Sequence, residues 1–261
     1  MQGKIDRIIA KIAKGQTVFG THTSWGGPMI TEMYGQAGFD LVWIDTEHGY
    51  MGPERVLGAM IGANTSDMCA FIRITANDPA LAKPLLDHGA DGIIFPMVMN
   101  ADDARKAVAA CRYPPVGARG FGPFRATHYG SVNVMDYIQN QSKKVWVIIQ
   151  IEHIEAVNNL DSILDVSGID AIIVGPCDLS GSIGLLGDVN HPDVKKAMDT
   201  VVKKAKTAKI PVGVSMVYNE EALNDWVKRG ADIIFCDNEG GYIINGCKKT
   251  LVRLKEAVEK K

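Results

Sequence analysis

Short apolar segments rich in β-branched residues recur along the chain, and stretches with helical spacing of apolar positions separate them. Near-continuous apolar runs of this length are typical of parallel strands that are covered on both faces. The pattern predicts strands at 17–23, 39–45, 69–75, 92–98, 145–152, 170–176, 211–216 and 232–237. It predicts helices at 28–37, 53–63, 78–89, 101–111, 153–165, 192–208, 219–229 and 246–259.

A recurring joint supports this alternation. In "GQAGFDLVWID", "LDHGADGIIFP", "VSGIDAIIVG" and "VKRGADIIFCD", a glycine ends a helix, a short turn contains an aspartate, and a buried strand follows. Glycine is favoured there because it accepts the left-handed conformation. Eight strands alternating with eight helices predict an α/β protein, a (β/α)8 TIM barrel, as a single domain over 1–261 with an extra N-terminal helix. A doubly wound open sheet is the alternative.

Composition excludes several classes of function. The 261 residues are 46% apolar and 22% charged with a net charge of -2, which indicates neither a nucleic-acid surface nor a membrane partner. No apolar run is long enough to span a membrane, and the first residues lack the apolar core of a signal peptide. Five cysteines without CxxC spacing favour reduced thiols. A cytoplasmic location is therefore expected.

Polar and ionisable side chains stand where the predicted strands end, although the strand interiors are apolar. In "LVWIDTEHGY" (41–50) the second strand ends with Asp45, Glu47 and His48, and the third strand contains Arg73. The other polar ends are His22-Thr23, Gln150-Ile151-Glu152, Gly175-Pro176-Cys177-Asp178, Ser215-Met216 and Asp237-Asn238-Glu239. Barrel enzymes place their chemistry at the C-terminal ends of the strands, so these positions predict one active-site mouth.

Three kinds of side chain at this mouth suggest specific chemistry. Glu152 and Asp178 end neighbouring strands and suit an oxygen-preferring divalent cation, although each could instead cap a helix or form a salt bridge. Arg73 interrupts an apolar strand, so it either pairs inside the barrel or holds a ligand carboxylate. His48 is a candidate base, and its alternative is a structural loop histidine.

The segment 111–134 is too long for an ordinary connection, and long loops are often lids or interface elements. Gly117, Gly120 and Gly122 do not form a dinucleotide fingerprint, because no strand directly precedes them and no helix begins on them. Arg119 and Arg125 would meet either an anionic substrate or a partner subunit.

Several stretches together resemble the HpcH/HpaI aldolase family, whose members are class II pyruvate aldolases on a (β/α)8 barrel. They are "WIDTEHG" (43–49), "RIT" (73–75), "YPPVGARGFGP" (113–123), "IIQIE" (148–152) and "GPCDLSGSIG" (175–184), and the similarity spans about residues 17 to 240 in order. The stretches 184–192 and 235–241 depart from the family's pattern. The resemblance therefore does not name the aldehyde half of the substrate.

The resemblance implies a role for each residue of the mouth. Glu152 and Asp178 would bind the divalent metal (Mg²⁺, Mn²⁺ or Co²⁺), Arg73 would contact the pyruvate oxygens, Gln150 would lie at the metal–pyruvate site, and His48 would transfer protons. Backbone N–H groups around Gly175, Pro176, Cys177 and Asp178 would bind the pyruvate carboxylate. Asp45 is expected to orient water or neighbouring groups, and Glu47 to point away.

An aspartate that pairs with the catalytic histidine in the family matches Asp87. The predicted topology places Asp87 at the end of a helix, away from the mouth of its own barrel. Either a neighbouring subunit supplies it or its role is indirect. The last helix, 246–259, is amphipathic and could close its own barrel or pack onto a neighbour. The resemblance implies the second alternative, a homo-oligomer (a hexamer or trimer) with this helix exchanged between subunits.

The implied function is a carbon–carbon lyase that reversibly cleaves a 4-hydroxy-2-oxo acid into pyruvate and an aldehyde. Cleavage leaves an enolate, whose charge a divalent cation would stabilise as a Lewis acid. No lysine ends a predicted strand, which argues against a Schiff-base aldolase. The alternatives are a citrate-lyase-β-like lyase of an acyl-CoA or malate-like substrate, and a catalytically silent barrel that binds a carboxylate.

Overall fold

Eight parallel strands close into a barrel, and their order around the barrel is their order along the chain. The computed structural model describes residues 3–259; residues 1, 2, 260 and 261, which the predicted domain range includes, lie outside the described residues. The strands are β1 (Val18–Thr23), β2 (Leu41–Asp45), β3 (Cys69–Arg73), β4 (Gly92–Phe95), β5 (Trp146–Ile151), β6 (Ala171–Val174), β7 (Val212–Met216) and β8 (Ile233–Asn238). Because β8 pairs with β1, the (β/α)8 prediction is confirmed and the open sheet is wrong.

The helices alternate with the strands and surround them. They are α1 (Lys4–Ala13), α2 (Pro28–Ala37), α3 (Pro53–Ala63), α4 (Pro79–Asp87), α5 (Ala101–Cys111), α6 (Val134–Asp136), α7 (Ile154–Asn158), α8 (Leu160–Leu164), α9 (Pro176–Ser182), α10 (Pro192–Thr207), α11 (Glu220–Arg229) and α12 (Glu239–Glu259). Short 3₁₀ turns at Arg125–Thr127 and Ser142–Lys144 and a π-helical turn at Tyr137–Gln141 complete the set. Over residues 3–259, no helix combines the length and apolarity needed to cross a membrane.

Three helical elements differ from the prediction. The expected helix 153–165 is divided into α7 and α8 at the weak helix former Asn159, whose side chain donates to the carbonyl of Met99. Helix α9 was not predicted, because glycine and serine hide its apolar periodicity. Helix α12 begins at Glu239 and not at 246, so the last strand passes almost directly into it.

Large side chains fill the inside of the barrel. Trp43, Phe71 and Phe235 are fully buried in a cluster with Ile5 and Ile8 of α1, which closes the N-terminal end. A second and larger cluster lies between the strands and the outer helices. The barrel is therefore a packed core, and the buried polar side chains Asp45, Arg73, Gln150 and Glu152 lie at its C-terminal mouth, which is where a (β/α)8 enzyme has its site.

Helix α12 leaves the barrel and does not pack along it as an eighth barrel helix would. Its residues from Tyr242 to Glu259 are exposed, including the apolar Leu251, Leu254 and Val258. On the outside of β1, which such a helix would cover, Phe19 is 49% exposed. The fold thus leaves two apolar surfaces unpaired within the described chain.

The long connection between α5 and β5 lies at the N-terminal end of the barrel. Lys144 pairs with Asp6 of α1, and Arg119 pairs with Asp87 at the end of α4, where Nη2 and Oδ1 are 3.1 Å apart. A lid over the mouth of its own barrel, one of the two alternatives for 111–134, is therefore wrong, because the mouth is at the opposite end; an interface element stays a prediction.

Replacing Gly92 by alanine should destabilise the barrel. A Cβ at this position would lie 2.8 Å from Cδ1 of Phe71, whose ring stacks on Trp146 and cannot withdraw. Overpacking of this kind costs about 1–3 kcal/mol in the free energy of unfolding, which urea denaturation measures. Gly246→Ala in α12 is the control, since its Cβ meets nothing within 4 Å, and it should not lower stability. Equal stability of both variants would contradict the packing described.

Candidate active site

A buried ion pair joins the ends of β2 and β3. Arg73 donates from Nε to Oδ1 of Asp45 at 3.0 Å and from Nη2 to Oδ2 at 2.6 Å, which is a bidentate pair. The guanidinium carbon lies 5.1 Å from the ring centroid of Trp43, which supports it from inside the barrel. Burial alone would raise the pKa of Asp45, but the hydrogen bonds and charge of Arg73 outweigh it and hold that pKa below its usual range.

Asp45 also shapes the loop that follows β2. Its Oδ1 accepts hydrogen bonds from the backbone N–H groups of Glu47 at 3.0 Å and of His48 at 3.3 Å. This turn directs Glu47 inward, and its Oε2 lies 2.9 Å from Nη1 of Arg73. The expectation that Glu47 points away is therefore wrong. Burial raises the pKa of Glu47 despite the charge of Arg73.

Arg73 retains hydrogen-bonding capacity after these contacts. A guanidinium has five N–H donors, and Asp45 and Glu47 engage one on each of its three nitrogens. One N–H on Nη1 and one on Nη2 are left for a ligand. Arg73 thus pairs inside the barrel, which was the first of the two alternatives that the sequence left open. It can still bind an oxygen at the mouth.

Glu152 follows β5 and is only 3% exposed. Its Oε1 accepts the backbone N–H of Met97 at 2.8 Å, and its Oε2 accepts the amide N–H of Gln150. Burial, together with the nearby carboxylates of Glu47 and Asp178, raises the pKa of Glu152 to about 7. The mouth therefore gathers more negative charge than Arg73 neutralises.

These oxygens suit a divalent cation. Glu152 and the exposed Asp178 interact electrostatically, and the buried Oε1 of Gln150 has no hydrogen-bond partner. A Cβ at Gly175 would lie 2.9 Å from Cβ of Glu152, so glycine there leaves room for the carboxylate. Within residues 3–259 no cluster of three His, Cys, Asp or Glu side chains is arranged to hold a metal. A magnesium-like ion needs only one or two protein carboxylates, so the donor set fits.

The start of α9 presents fewer N–H groups than the sequence suggested. The N–H of Gly175 donates to the carbonyl of Ile151 at 3.1 Å, and Pro176 has none. The N–H groups of Cys177 and Asp178, in the first turn of α9, have no partner within the helix. Of the four residues expected to bind a carboxylate through the backbone, only these two can donate.

His48 and Asp87 do not meet in one chain. His48 is exposed in the loop after β2, at the mouth, close enough to Glu47 for its charge to act on that carboxyl. Asp87 is held by Arg119 at the other end of the barrel. Asp87 therefore lies away from the mouth of its own barrel, as the predicted topology had it, and a role in a neighbouring subunit's site or an indirect role stays a prediction.

Two further residues near the mouth were not among the predicted site residues. His22, at the end of β1, contacts Ser215 of β7 and the carbonyl of Asp237 in β8. Glu239 is 1% exposed, and its Oε1 accepts the backbone N–H groups of Ser24 at 2.8 Å and Trp25 at 2.6 Å. Both stand at predicted strand ends, and that position was the available signal.

Comparisons with known proteins identify the relatives of this chain. The chain matches the family model described as HpcH/HpaI aldolase/citrate lyase over residues 24–246. The 4-hydroxy-2-oxo-heptane-1,7-dioate aldolase of Salmonella newport (strain SL254) is 36% identical over 230 residues, which cover 88% of this chain and 86% of that relative. The HpcH/HpaI aldolase of Desulfitobacterium hafniense DCB-2 has a TM-score of 0.87 at 30% identity, covering 95% of this chain and 96% of that one. A structure of the citrate synthase SbnG has a TM-score of 0.84 at 25% identity, covering 96% and 98%.

A parallel barrel with an arginine–carboxylate pair and a buried glutamate at its mouth, together with these relatives, defines a carbon–carbon lyase of the aldolase type. The chain belongs to the HpcH/HpaI aldolase/citrate lyase family. The resemblance stated from the sequence motifs is confirmed.

Substituting Glu152 by glutamine should remove a pH-dependent loss of stability from the metal-free protein. The folded pKa of about 7 exceeds the ordinary value of 4.5, so the folded state favours the protonated carboxyl. The protonated Glu152 carboxyl therefore contributes to the free energy of unfolding at low pH, and this contribution is lost as the pH rises through about 7. Between pH 5 and pH 8 the wild type should lose about 2–3 kcal/mol more than Glu152→Gln, measured by urea unfolding with a chelator.

The control for this experiment is Glu155→Gln, the same chemical change at an exposed position on α7. It should follow the wild-type profile. Parallel pH profiles for the wild type and Glu152→Gln would contradict the unfavourable burial of this carboxylate.

Proposed function

We propose that this enzyme reversibly cleaves a 4-hydroxy-2-oxo acid into pyruvate and an aldehyde, and that it requires a divalent cation. The observation that supports this most directly is the combination of Arg73, with two free N–H donors, and the buried Glu152 beside Asp178. The free N–H donors of Arg73 suit an oxygen that becomes negative during the reaction, and the carboxylates of Glu152 and Asp178 suit the cation. The Salmonella newport relative, named for such an activity, supports the substrate class.

Glu152 and Asp178 would hold the cation, with Gln150 beside it. When bound there, Mg²⁺, Mn²⁺ or Co²⁺ supplies Lewis-acid stabilisation of negative charge. The N–H groups of Cys177 and Asp178 bind the substrate carboxylate at the positive end of α9. These contacts fix the orientation of the 2-oxo acid in front of Arg73.

Bond cleavage then requires one proton to leave and one charge to be stabilised. His48 accepts the proton of the 4-hydroxyl group at its imidazole nitrogen. As the C3–C4 bond breaks, its electron pair moves towards C2 and the 2-oxo oxygen becomes negative. The free N–H groups of Arg73 donate to this oxygen, while Asp45 and Glu47 keep the guanidinium in position. C3 then gains one proton, which balances the proton that His48 accepted from the 4-hydroxyl group; this gives pyruvate, and the aldehyde leaves.

The test is the exchange of pyruvate methyl protons in D₂O, followed by NMR with Mn²⁺ and the wild-type enzyme. Exchange should occur, stop after exhaustive chelation, and fall about 100-fold or more in Arg73→Lys, which keeps the charge but loses the fork-shaped donor set. Arg55→Lys is the matched control, because Arg55 is exposed and donates to the carbonyl of Trp25 at the rim. It should exchange like the wild type.

Other outcomes separate the alternatives. Full exchange in the absence of metal would contradict the cation, and unchanged exchange in Arg73→Lys would contradict the role of Arg73. Cleavage of an acyl-CoA thioester without pyruvate exchange would support a citrate-lyase-like enzyme. Binding of a carboxylate without either reaction would support a silent barrel.

We also propose that the enzyme is a homo-oligomer, a trimer or hexamer, in which α12 packs against a neighbouring subunit. The helix places Ile244, Leu251, Leu254 and Val258 on one face, and all four are exposed in the described chain. A neighbour's helix would cover the exposed Phe19 on β1. In such an assembly Asp87 belongs to another subunit's site. A cytoplasmic location remains part of this proposal.

Charge placed on the apolar face of α12 should dissociate the assembly. Leu251 is exposed on α12, so the fold should survive the substitution Leu251→Glu. Light scattering after gel filtration should then report smaller species than the wild type. Lys249→Glu, on the opposite face, is the control and should keep the wild-type mass. A wild-type monomer, or an unchanged mass in Leu251→Glu, would contradict the exchange of this helix.

A further inference from the structure

The indole of Trp43 lies inside the barrel, against the ion pair of Asp45 and Arg73. Trp43 precedes Asp45 by two residues on β2, so both side chains point to the same face of the strand. The guanidinium carbon of Arg73 lies over the indole, 5.1 Å from the ring centroid. Trp43 is 1% exposed and Arg73 is 8% exposed, so the contact is shielded from solvent. Shielded cation–π contacts are stronger than exposed ones, and among aromatic side chains the indole binds cations best.

The carboxylates and the indole hold different parts of the guanidinium. Asp45 and Glu47 bind its edge, through one N–H on each of the three nitrogens, and so fix its position within the plane of the fork. Trp43 covers one face of the guanidinium and opposes displacement out of that plane. The direction of the two free N–H groups of Arg73 therefore depends on both kinds of contact.

Two further rings hold the indole in place. The ring of Phe235 meets it in a T-shaped contact, with centroids 5.2 Å apart and planes at 82°, and the imidazole of His22 lies 5.2 Å away. A Cβ at Gly20 would lie 2.4 Å from Cδ1 of Phe235, so the glycine on β1 leaves the space that this ring occupies. The indole is thus packed between neighbours that are fixed themselves.

Hydrogen bonds fix the imidazole of His22 beside the indole. Its Nδ1 lies 2.9 Å from the carbonyl oxygen of Asp237, and its Nε2 lies 2.9 Å from Oγ of Ser215. The pairing of β1 with β8 shifts register between Gly20 and His22, and this bulge accompanies the unusual contact. Burial lowers the pKa of His22 despite the hydrogen bond to Asp237, so the imidazole is neutral. It places no second positive charge beside the indole.

The indole N–H makes tryptophan an unfavourable choice for packing alone. Within residues 3–259, Nε1 of Trp43 is buried and has no hydrogen-bond partner. An unpaired buried donor is destabilising, whereas phenylalanine or leucine would fill an apolar core without one. The face that the indole offers to Arg73 is a property that leucine lacks and that phenylalanine has in weaker form.

We propose that Trp43 is a positioning residue of the reaction, whose ring face fixes the guanidinium plane of Arg73 so that its free N–H groups point at the 2-oxo oxygen. The proposal rests on the aldolase function proposed above. Every group that supports it lies in one barrel, so it does not depend on how subunits assemble.

The proposal predicts which kinetic constant changes. The 2-oxo oxygen becomes negative only as the enolate forms, so the hydrogen bonds from Arg73 are strongest in the transition state. Loss of an interaction that is made mainly in the transition state lowers kcat and leaves KM nearly unchanged. A general loss of structure would instead lower the fraction of folded enzyme.

The test measures kcat and KM for exchange of the pyruvate methyl protons in D₂O with Mn²⁺, and urea unfolding verifies that each variant is folded. Trp43→Leu should lower kcat about 10-fold or more, the effect of a shielded cation–π contact, and change KM by less than about two-fold. Trp43→Phe, which restores an aromatic face, should recover most of the lost rate. If Trp43→Leu does not fold, Trp43→Met is the non-aromatic comparison, because its flexible side chain fills core gaps.

Trp146→Leu is the matched control. It is the same substitution in the same buried cluster, but the ring of Trp146 stacks on Phe71 and not on Arg73. It should lower the stability to urea and keep the wild-type kcat. An equal loss of kcat in Trp146→Leu and Trp43→Leu, or a kcat of Trp43→Phe no higher than that of Trp43→Leu, would overturn the proposal.

A double-mutant cycle with Arg73→Lys separates positioning from packing. A lysine ammonium is a point charge without a plane to orient, so in this background Trp43→Leu should lower exchange by less than about two-fold. An equal fold-loss in both backgrounds would overturn the proposal.

The wild-type measurement separates failure of this proposal from failure of the aldolase function. Normal wild-type exchange combined with an unchanged kcat in Trp43→Leu would overturn only the role of Trp43. Absence of exchange in the wild type with Mn²⁺ would overturn the aldolase function itself, on which the role of Trp43 rests.

Discussion

The bidentate pair between Asp45 and Arg73 is the interaction on which the rest of the mouth depends. Placing a guanidinium at the end of a buried strand is costly unless its charge is compensated, and Asp45 on the neighbouring strand does this in the plane of the fork. The same carboxylate holds the turn that brings Glu47 to Arg73. One ion pair therefore fixes the orientation of an arginine and the course of a loop.

Charge balance connects this pair to the remainder of the site. Asp45 and Glu47 use the positive charge of Arg73, so Glu152 remains buried beside Asp178 without a cationic side chain of its own. Perturbed carboxylates of this kind cluster at functional sites, and the proposed divalent cation would compensate the buried charge. The unfavourable burial of Glu152 and the proposed binding of a cation are thus two aspects of the same electrostatics.

Much of this could be predicted from the sequence, because periodicity and strand ends are local properties. The eight strands follow from apolar runs, and Asp45, Arg73 and Glu152 stand where those runs stop. The direction of Glu47 could not be predicted, since it depends on an ion pair across two strands. Nor could the setting of His22, because a bulge between β1 and β8 joins residues more than 200 positions apart. Helix α9 escaped prediction because the glycine and serines in its short sequence leave no apolar periodicity.

Glu239 is the first residue of the projecting helix α12, and its buried carboxylate is bonded to the loop that follows β1. The direction in which this helix departs and the shape of the loop at the mouth are therefore set by a single anchor. A displacement of the first turn of this helix would disturb the hydrogen bonds that the backbone N–H groups of Ser24 and Trp25, in the loop at the mouth, donate to Glu239. In the proposed assembly, the helix that would contact the neighbouring subunit is thus tied to the loop at the mouth through one carboxylate.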